Sequence, residues 1–284
     1  MKLVPHGGGV KALLENPLSD HEIGLAWLGQ AGFALRHANC RLLIDPYLSD
    51  HLARKYEGTE FPHLRMMPTP LEPGQARNLD FVLCSHRHGD HMDPSALPEL
   101  AQNNARCWLV VPRAERESAI KLGLSESRLI LANDGDAIPL NDSIELHVVP
   151  AAHETLQMND RGEHRFLGFI LRLGGTTIYH SGDSVVYKGM AERLGKSRID
   201  LALLPVNGRS ERLNSRGISG NMNFDEACEL CLAAGIGTMI PHHWGMFAFN
   251  TADPKEIRRQ IAGLDAARLQ CVLPDAGLFY TLAG

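Results

Sequence analysis

The sequence has no long hydrophobic run, no cluster of basic residues and few aromatic side chains, which make up 6% of its 284 residues. No apolar stretch approaches the ~20 residues that a membrane-spanning helix requires, so we expect no membrane partner. Lys and Arg number 28 against 33 Asp and Glu, which gives a formal net charge of −5. Because phosphate contacts need clustered basic side chains, this balance argues against nucleic-acid binding.

The beginning of the chain and its cysteines favour a cytoplasmic protein. The first 20 residues lack the apolar core and the small-residue cleavage site of a signal peptide. Six cysteines in a chain of this size do not indicate a disulfide framework. Cys228 and Cys231 lie within one predicted helix with no second pair nearby. Since a structural zinc site needs four ligands, we expect these two to be buried core thiols.

Short apolar segments separated by Gly, Asn and Pro predict strands, which later alternate with helices. The predicted strands are 23–28, 32–35, 41–44, 81–84, 108–111, 143–149, 166–173, 176–179, 200–204, 238–240, 270–273 and 278–282. The predicted helices are 94–103, 113–123, 190–194, 224–234 and 254–262. Two packed sheets with helices outside satisfy this pattern, so we expect an α/β (α+β) fold.

The same pattern predicts a single domain over residues 1–284, because no linker separates its two halves. We expect residues 1–20 to be an irregular lead-in. Residues 45–79 are rich in proline and have little periodicity. Because long loops are usually functional, we expect this segment to be a loop or insertion near the active site, with Asp45, Tyr47 and His63 covering the pocket.

One segment concentrates metal-binding side chains. Three of the 14 histidines, His86, His88 and His91, fall with Asp90 within six residues directly after the strand predicted at 81–84. A tight turn there would make these side chains converge. Imidazole nitrogens and carboxylate oxygens suit zinc or a similar divalent metal such as manganese. The alternative is a solvated histidine-rich loop, which the position after a buried strand disfavours.

This segment resembles the H-x-H-x-D-H signature that follows a β-strand in the metallo-β-lactamase superfamily. The resemblance implies a four-layer αββα sandwich that holds one or two metal ions at the strand ends. It also requires a further histidine, an aspartate and a last histidine, each after a strand. His153, Asp183 in a Gly-Asp-Ser turn, and His243 meet this requirement. His242 is the alternative last ligand, but the Pro-x-His pattern of relatives favours His243.

The resemblance assigns the ligands of two divalent ions, zinc or manganese. One ion takes His86, His88 and His153, the other takes Asp90, His91 and His243, and Asp183 bridges them. Two such ions share a hydroxide that is nucleophilic at neutral pH. Asp90 would also orient this hydroxide. His180, three residues before Asp183, would donate a proton to the leaving group or orient a ligand, although a structural role is equally open.

Three further segments, 179–184, 216–219 and 252–257, resemble the L-ascorbate-6-phosphate lactonase branch of this superfamily. This resemblance implies a metal-dependent hydrolase that acts on a small molecule. The substrate would be a lactone or similar ester of a phosphorylated sugar acid, such as L-ascorbate 6-phosphate. The chain departs from the branch at His153, where the lactonase pattern has an acidic residue. The alternative is a phosphodiesterase or phospholipase D-like hydrolase with the same dinuclear site.

The loop after the strand predicted at 200–204 contains the candidate substrate-binding residues. They are Asn207, Arg209, Arg216 and Asn221. Arginines there would clamp a phosphate or carboxylate, and a solvated loop is the alternative. Asn221 and Asn223 line the pocket or cap the following helix, and capping is favoured for Asn223. The sequence leaves open the native metal and the oligomeric state, a homo-oligomer included.

Overall fold

The computed structural model describes residues 1–283, which divide into two compact units that alternate along the chain. The N-terminal unit comprises Lys2–Ala132, Met246–Phe249 and the chain from Asp275 on. The C-terminal unit comprises Asn133–Gly245 and Asn250–Pro274. Each unit is built on one large β-sheet. A single domain over residues 1–284 stays a prediction.

The strands and helices of the described residues are mostly short. The strands up to residue 132 are β1 (Lys2–Gly7), β2 (Ile23–Gly29), β3 (Gly32–His37), β4 (Cys40–Ile44), β5 (Phe81–Leu83), β6 (Trp108–Pro112) and β7 (Leu129–Ala132). The later strands are β8 (Ala137–Asn141), β9 (Ile144–Pro150), β10 (Ala152–His153), β11 (Thr155–Leu156), β12 (Leu167–Leu173), β13 (Thr176–His180), β14 (Leu201–Pro205), β15 (Thr238–His242), β16 (Gln270–Cys271) and β17 (Leu278–Ala283). The helices are α1 (Gly9–Glu15), α2 (His51–Lys55), α3 (Ala96–Asn103), α4 (Arg116–Lys121), α5 (Met190–Gly195), α6 (Glu211–Asn214), α7 (Phe224–Ala234) and α8 (Pro254–Ala262). None of these helices has the length and apolar character needed to cross a membrane.

The sheet of the N-terminal unit has the strand order β1-β17-β2-β3-β4-β5-β6-β7. Its first five strands pair antiparallel, and β4 to β7 pair parallel. All three residues of β5 are buried, as expected for a parallel strand covered on both faces. Because β4 and β5 are parallel neighbours, the residues that follow them emerge side by side at the carboxyl edge of the sheet.

The sheet of the C-terminal unit has the order β16-β15-β14-β13-β12-β9-β8. Strands β13 to β16 pair parallel, while β8, β9, β12 and β13 pair antiparallel. The residues after β13 and β15 therefore emerge at the carboxyl edge of this sheet, two strands apart. A separate two-stranded hairpin, β10-β11, contains His153.

Helices α7 and α8 match the predicted helices at both ends because both carry explicit start signals. The Asn223 side chain accepts a hydrogen bond from the Glu226 backbone N–H, and the Glu226 side chain accepts one from Asn223. The prediction that Asn223 caps the helix is confirmed. Asp253 caps α8, which has Pro254 in its first turn. Cys228 and Cys231 are buried within α7, as predicted.

The prediction of an irregular lead-in over residues 1–20 is wrong, because β1 and α1 lie within it. Strand β1 pairs antiparallel with β17, in the register Lys2 to Ala283. A strand whose partner is at the other end of the chain has no hairpin signal in its local sequence. Helix α1 has only seven residues, so its buried apolar positions are too few to show a period.

The segment 45–79 contains α2 and is otherwise mostly irregular, and it lies against the histidine-rich turn of the same unit. A Cβ atom added at Gly89 would come within 2.8 Å of the Leu52 side chain in α2. The Met66 backbone N–H donates to the Met246 carbonyl at 2.9 Å, which ties the segment to residues 246–249. Helix α2 therefore packs closely against the turn at Gly89, between His88 and Asp90.

Candidate metal centre

The turn after β5 brings four nitrogen and oxygen donors of the N-terminal unit together. The ligand atoms of His86 and His88, of His86 and His91, and of Asp90 and His91 lie within 4.8 Å of each other. His86 Nε2 is 3.0 Å from His88 Nδ1. The His91 side chain is fully buried, and that of Asp90 is 16% exposed. Such a concentration of imidazole and carboxylate suits a divalent cation.

Asp45 and Ser85 determine which nitrogen of two of these histidines carries the proton. The Ser85 backbone N–H and hydroxyl donate to the Asp45 carboxylate at 2.7 and 2.6 Å. His91 Nδ1 lies 2.7 Å from Asp45 Oδ2, so it donates to that carboxylate. The Ser85 hydroxyl has given its only proton to Asp45, so His86 Nδ1, 3.0 Å away, must donate to it. When neutral, both rings therefore present Nε2 as a lone pair, as a metal ligand requires.

Sequence reasoning placed Asp45 in the loop that covers the pocket and missed this role. Asp45 follows β4, and Ser85 follows the neighbouring parallel strand β5. The sequence signal for this role was therefore an aspartate at the end of β4, the strand beside the one that precedes the histidine-rich turn. Asp45 is fully buried and has a φ of 45°, a left-handed conformation that Asp adopts more readily than most residues.

Tyr47 and His63, also predicted to cover the pocket, belong to the same segment. Tyr47 is fully buried, and burial raises the pKa of its phenol. Burial lowers the pKa of the His63 imidazole, whose Nδ1 lies 2.8 Å from the Phe61 carbonyl. The negative charge of Asp90 adds to the rise in the pKa of Tyr47 and offsets part of the fall in the pKa of His63. Both side chains are therefore close enough to Asp90 to be affected by its charge.

Gln30 was not singled out by the sequence. It lies in the turn between β2 and β3, and its amide Nε2 donates to Asp90 Oδ2 at 2.8 Å. Its backbone carbonyl accepts from Trp27 Nε1 at 3.1 Å. No local pattern marks a glutamine in a hairpin turn as the partner of a residue 60 positions away.

The C-terminal unit contributes a second set of candidate ligands, each from a different strand end. His153, Asp183 and His243 are 6%, 4% and 2% exposed. His243 Nε2 lies 3.2 Å from Asp183 Oδ2. The backbone around His153 is tied to the turn containing Asp183, because the Val185 N–H donates to the Ala152 carbonyl at 2.8 Å. A buried carboxylate beside an imidazole again forms a nitrogen and oxygen donor set.

The geometry distinguishes between the two adjacent histidines at the end of β15. His243 lies beside Asp183 and has a φ of 61°, which is unusual for a residue other than glycine. His242 is the last residue of β15 and is fully buried, with its ring stacked on that of His180 at 5.1 Å. His243 is therefore the residue that the C-terminal unit places at Asp183.

His180, the candidate proton donor, supports the same turn. Its Nδ1 accepts a hydrogen bond from the Gly182 backbone N–H at 3.1 Å, and the ring is fully buried. In the neutral ring the proton is therefore on Nε2. These contacts hold the turn in which Asp183 lies. A role for His180 in protonating the leaving group stays a prediction.

The candidate substrate-binding residues form a network of their own. Arg209 Nη1 donates to the Glu226 carboxylate at 2.7 Å and to the Asn221 carbonyl at 3.0 Å. Arg209 Nη2 also donates to Glu226, and these bonds hold the pKa of the Glu226 carboxyl below its usual value. The Asn221 amide donates to Asn207 Oδ1 at 3.1 Å, and the Asn207 amide donates to Asn250 at 2.8 Å.

These hydrogen bonds bear on the substrate-binding role predicted for the four residues. Both terminal nitrogens of Arg209 bind Glu226, which leaves a structural role as the better-supported one. Asn221 is fully buried, and its amide supports Asn207. Asn207 is half-buried, and Arg216 is exposed beyond α6.

Comparison with known proteins gives a family match and sequence relatives. Residues 40–244 match the model of the Beta-lactamase superfamily domain. The chain is 30% identical over 213 residues to the "Probable L-ascorbate-6-phosphate lactonase UlaG" of Escherichia fergusonii. That alignment covers 69% of this chain and 58% of the relative, so the chain spans less than two thirds of the relative's length.

Solved structures show the fold. The isothiocyanate hydrolase from Delia radicum gut bacteria superposes with a TM-score of 0.72 at 18% identity, covering 92% of this chain and 98% of that one. The metallo-beta-lactamase fold protein YhfI from Bacillus subtilis gives a TM-score of 0.63 at 15% identity, covering 92% and 100%. The predicted α/β fold class of metallo-β-lactamase type, with its two sheets, is confirmed. The match of residues 40–244 to the domain model shows the family: the chain belongs to the beta-lactamase superfamily.

Proposed function

We propose that this protein is a metal-dependent hydrolase whose centre holds two divalent ions, zinc or manganese. The observation that carries the proposal is the hydrogen-bond arrangement around Asp45 and Ser85. In the neutral rings of His86 and His91, it leaves Nε2 as the lone-pair nitrogen. A metal-ligating histidine characteristically donates its other ring N–H to a partner of this kind, which fixes the tautomer and the ring orientation.

We assign the ligands by the pattern of the family. One ion is assigned to His86, His88 and His153, the other to Asp90, His91 and His243, with Asp183 shared. The pairing of Asp183 with His243, and the backbone tie of His153 to the Asp183 turn, support the second donor set. Two divalent ions in such a site supply Lewis acidity and an activated water molecule at neutral pH.

The residues of the chain itself supply orientation and charge. Asp45 holds the His91 ring in one orientation, and Gln30 does the same for the Asp90 carboxylate. Three carboxylates, those of Asp45, Asp90 and Asp183, offset the positive charge of two divalent ions. His180 orients the Gly182–Asp183 turn through its Nδ1.

For the substrate, we propose a lactone or similar ester of a sugar acid, with L-ascorbate 6-phosphate as the first compound to test. The support is a relative named as a lactonase for that compound at 30% identity. Asn207, oriented by the amides of Asn221 and Asn250, is our candidate for binding a substrate hydroxyl. Arg216 is our candidate for a phosphate, because Arg209 is held by Glu226.

Proton release during ring opening tests this proposal. Metal-loaded protein, chelated protein and the His88→Ala variant are compared on L-ascorbate 6-phosphate. We expect release only from the loaded wild type. The matched control is His147→Ala, a half-buried histidine on β9 that pairs with Glu145 at 2.7 Å, and it should keep full activity.

The outcomes separate the activity from the substrate. No turnover of any lactone or aryl phosphodiester by protein that holds two metal equivalents would contradict the hydrolase. Hydrolysis of an aryl phosphodiester without lactone opening would replace the lactonase with a phosphodiesterase. Full activity of the chelated protein would overturn the metal dependence.

A further inference from the structure

The turn between β2 and β3 has an unusual backbone. The pairing of β2 with β3 shifts register between Trp27 and Gly29, as in a β-bulge. Gly29 then has a φ of 89° and Gln30 a φ of 50°. A glutamine in the left-handed region is disfavoured because its Cβ crowds the backbone. Bulges of this kind commonly redirect a side chain next to an active site.

The redirected side chain meets Asp90. Gln30 is 1% exposed, and its amide donates to Asp90 Oδ2 at 2.8 Å. The Trp27 indole donates to the Gln30 carbonyl at 3.1 Å and so holds the turn from below. A Cβ atom at Gly29 would lie 2.7 Å from the Met67 sulfur, so the turn is also packed from outside. The Trp27 hydrogen bond and the Met67 side chain therefore hold the turn while the Gln30 amide contacts the Asp90 carboxylate.

The chemistry of the amide suits this position. A lysine there would neutralise the carboxylate, and a second carboxylate at 2.8 Å would compete with it for a proton. An amide N–H does neither, and it restricts the carboxylate to one orientation. Strain that persists in a buried turn is often part of a functional arrangement.

We propose that Gln30 is a positioning residue for Asp90, which its amide holds ready to bind a divalent cation. The inference rests on the proposed function, since Asp90 must be a metal ligand. Ordering the carboxylate before the cation arrives reduces the entropy lost on binding. The consequence is a higher affinity for the ion assigned to Asp90, and no change for the other ion.

Gln30→Gly separates this role from a purely structural one. Glycine accepts the positive φ and keeps the backbone carbonyl that binds Trp27, so the turn keeps its backbone conformation and this hydrogen bond. Gln30→Asn keeps an amide but is one methylene shorter. Zn²⁺ and Mn²⁺ titrations of the metal-free proteins, with a competing chelating dye, measure the two affinities. Thermal unfolding of the metal-free proteins measures stability.

The matched control is Ala38→Gly. Ala38 lies in the turn between β3 and β4 of the same sheet and has the same φ of 50°. Glycine there relieves the same backbone strain without removing a polar contact. Ala38→Gly should leave both metal affinities unchanged and should not lower the unfolding temperature.

We expect Gln30→Gly to bind one of two ions about 10- to 100-fold more weakly, the range for loss of a residue that supports a ligand. Its metal-free form should unfold at the wild-type temperature or above. The inference would be overturned if Gln30→Gly bound both ions with wild-type affinity. It would also be overturned if the affinities for both ions fell equally and the unfolding temperature fell with them. A wild-type protein that binds no divalent ion would overturn the proposed function and this inference with it.

Discussion

The two units present their candidate ligands in contrasting ways. The N-terminal unit concentrates four donors on one turn of six residues after β5. The C-terminal unit takes its three donors from three separate places, the end of β10 and the turns after β13 and β15. A contiguous set can be recognised without knowledge of the fold. A dispersed set has meaning only once the strand order brings its members together, as β13 and β15 do in the parallel part of one sheet.

The two sets also differ in how they are supported. In the N-terminal unit, side chains orient the donors: Asp45 and Ser85 hold the histidines, and Gln30 holds Asp90. In the C-terminal unit, backbone geometry has the larger part, through the positive φ of His243 and the hydrogen bond between residues 152 and 185. A supporting side chain can be removed by one substitution. The support of each donor in the N-terminal unit can therefore be tested separately.

Loss of a donor from either set should have the largest effect. We expect His86→Ala and Asp183→Asn to lower the rate of lactone opening by more than about 100-fold each, because loss of a supporting residue alone costs up to about that much. Proton release and metal content measure this, with the exposed His21→Ala as control. If one set proved dispensable, the two would not form one functional centre.

Removal of the side-chain support in the N-terminal unit should have the next largest effect. Asp45→Asn tolerates the same positive φ, but it lacks the charge that accepts from both His91 and Ser85. We expect metal affinity to fall by about 10- to 100-fold. A competition titration measures it. An unchanged affinity would show that the histidine tautomers do not depend on Asp45.

Metal removal should lower the stability of the folded chain. An ion present at 100 times its dissociation constant stabilises the native state by about 2.7 kcal/mol, because it binds the folded ligand set and not the unfolded chain. We therefore expect a chelator to lower the unfolding temperature of the wild type. The same chelator should have a smaller effect on Asp183→Asn, and an equal decrease in both would argue against Asp183 as a shared ligand.

The smallest effect is expected for Arg209, in the loop where the sequence predicts that arginines bind a phosphate or carboxylate. Arg209→Met removes the partner of Glu226, and a partly exposed pair of this kind contributes at most about 1 kcal/mol. Arg209 lowers the pKa of Glu226 from 4.5, so the pair stabilises the protein above that pH. The stabilisation is lost as the pH falls through the lowered pKa. Denaturant unfolding at pH 7 and at acidic pH measures the difference.

The catalytic constants of Arg209→Met test whether Arg209 has only a structural role in the loop. If Arg209 only holds the loop, the KM for a phosphorylated lactone should change by less than about twofold. A large rise in KM with an unchanged kcat would restore Arg209 as a substrate ligand.

The fold was predictable where local signals are strong. Helices α7 and α8 were predicted to the residue because Asn223 and Asp253 mark their starts. Strands β7 and β8 were missed because most of their residues are only partly buried or exposed, which leaves no clear apolar alternation. Strand β1 was missed because its partner β17 is at the other end of the chain.

The site was predictable in its ligand candidates and not in their supporting residues. The six-residue motif is visible in the sequence, and a family pattern extends it to His153, Asp183 and His243. Asp45 and Gln30 act on residues 46 and 60 positions away, through neighbouring strands and a turn, so no local pattern reveals them.

The proposed function requires the two donor sets to hold one pair of metal ions. Electron paramagnetic resonance of the protein loaded with two equivalents of Mn²⁺ tests it most directly, because ions about 3.5–4 Å apart are magnetically coupled. We expect a coupled spectrum in the wild type and the spectrum of isolated Mn²⁺ in Asp183→Asn. Two isolated ions in the wild type, or uptake of no Mn²⁺ and no Zn²⁺, would contradict the account.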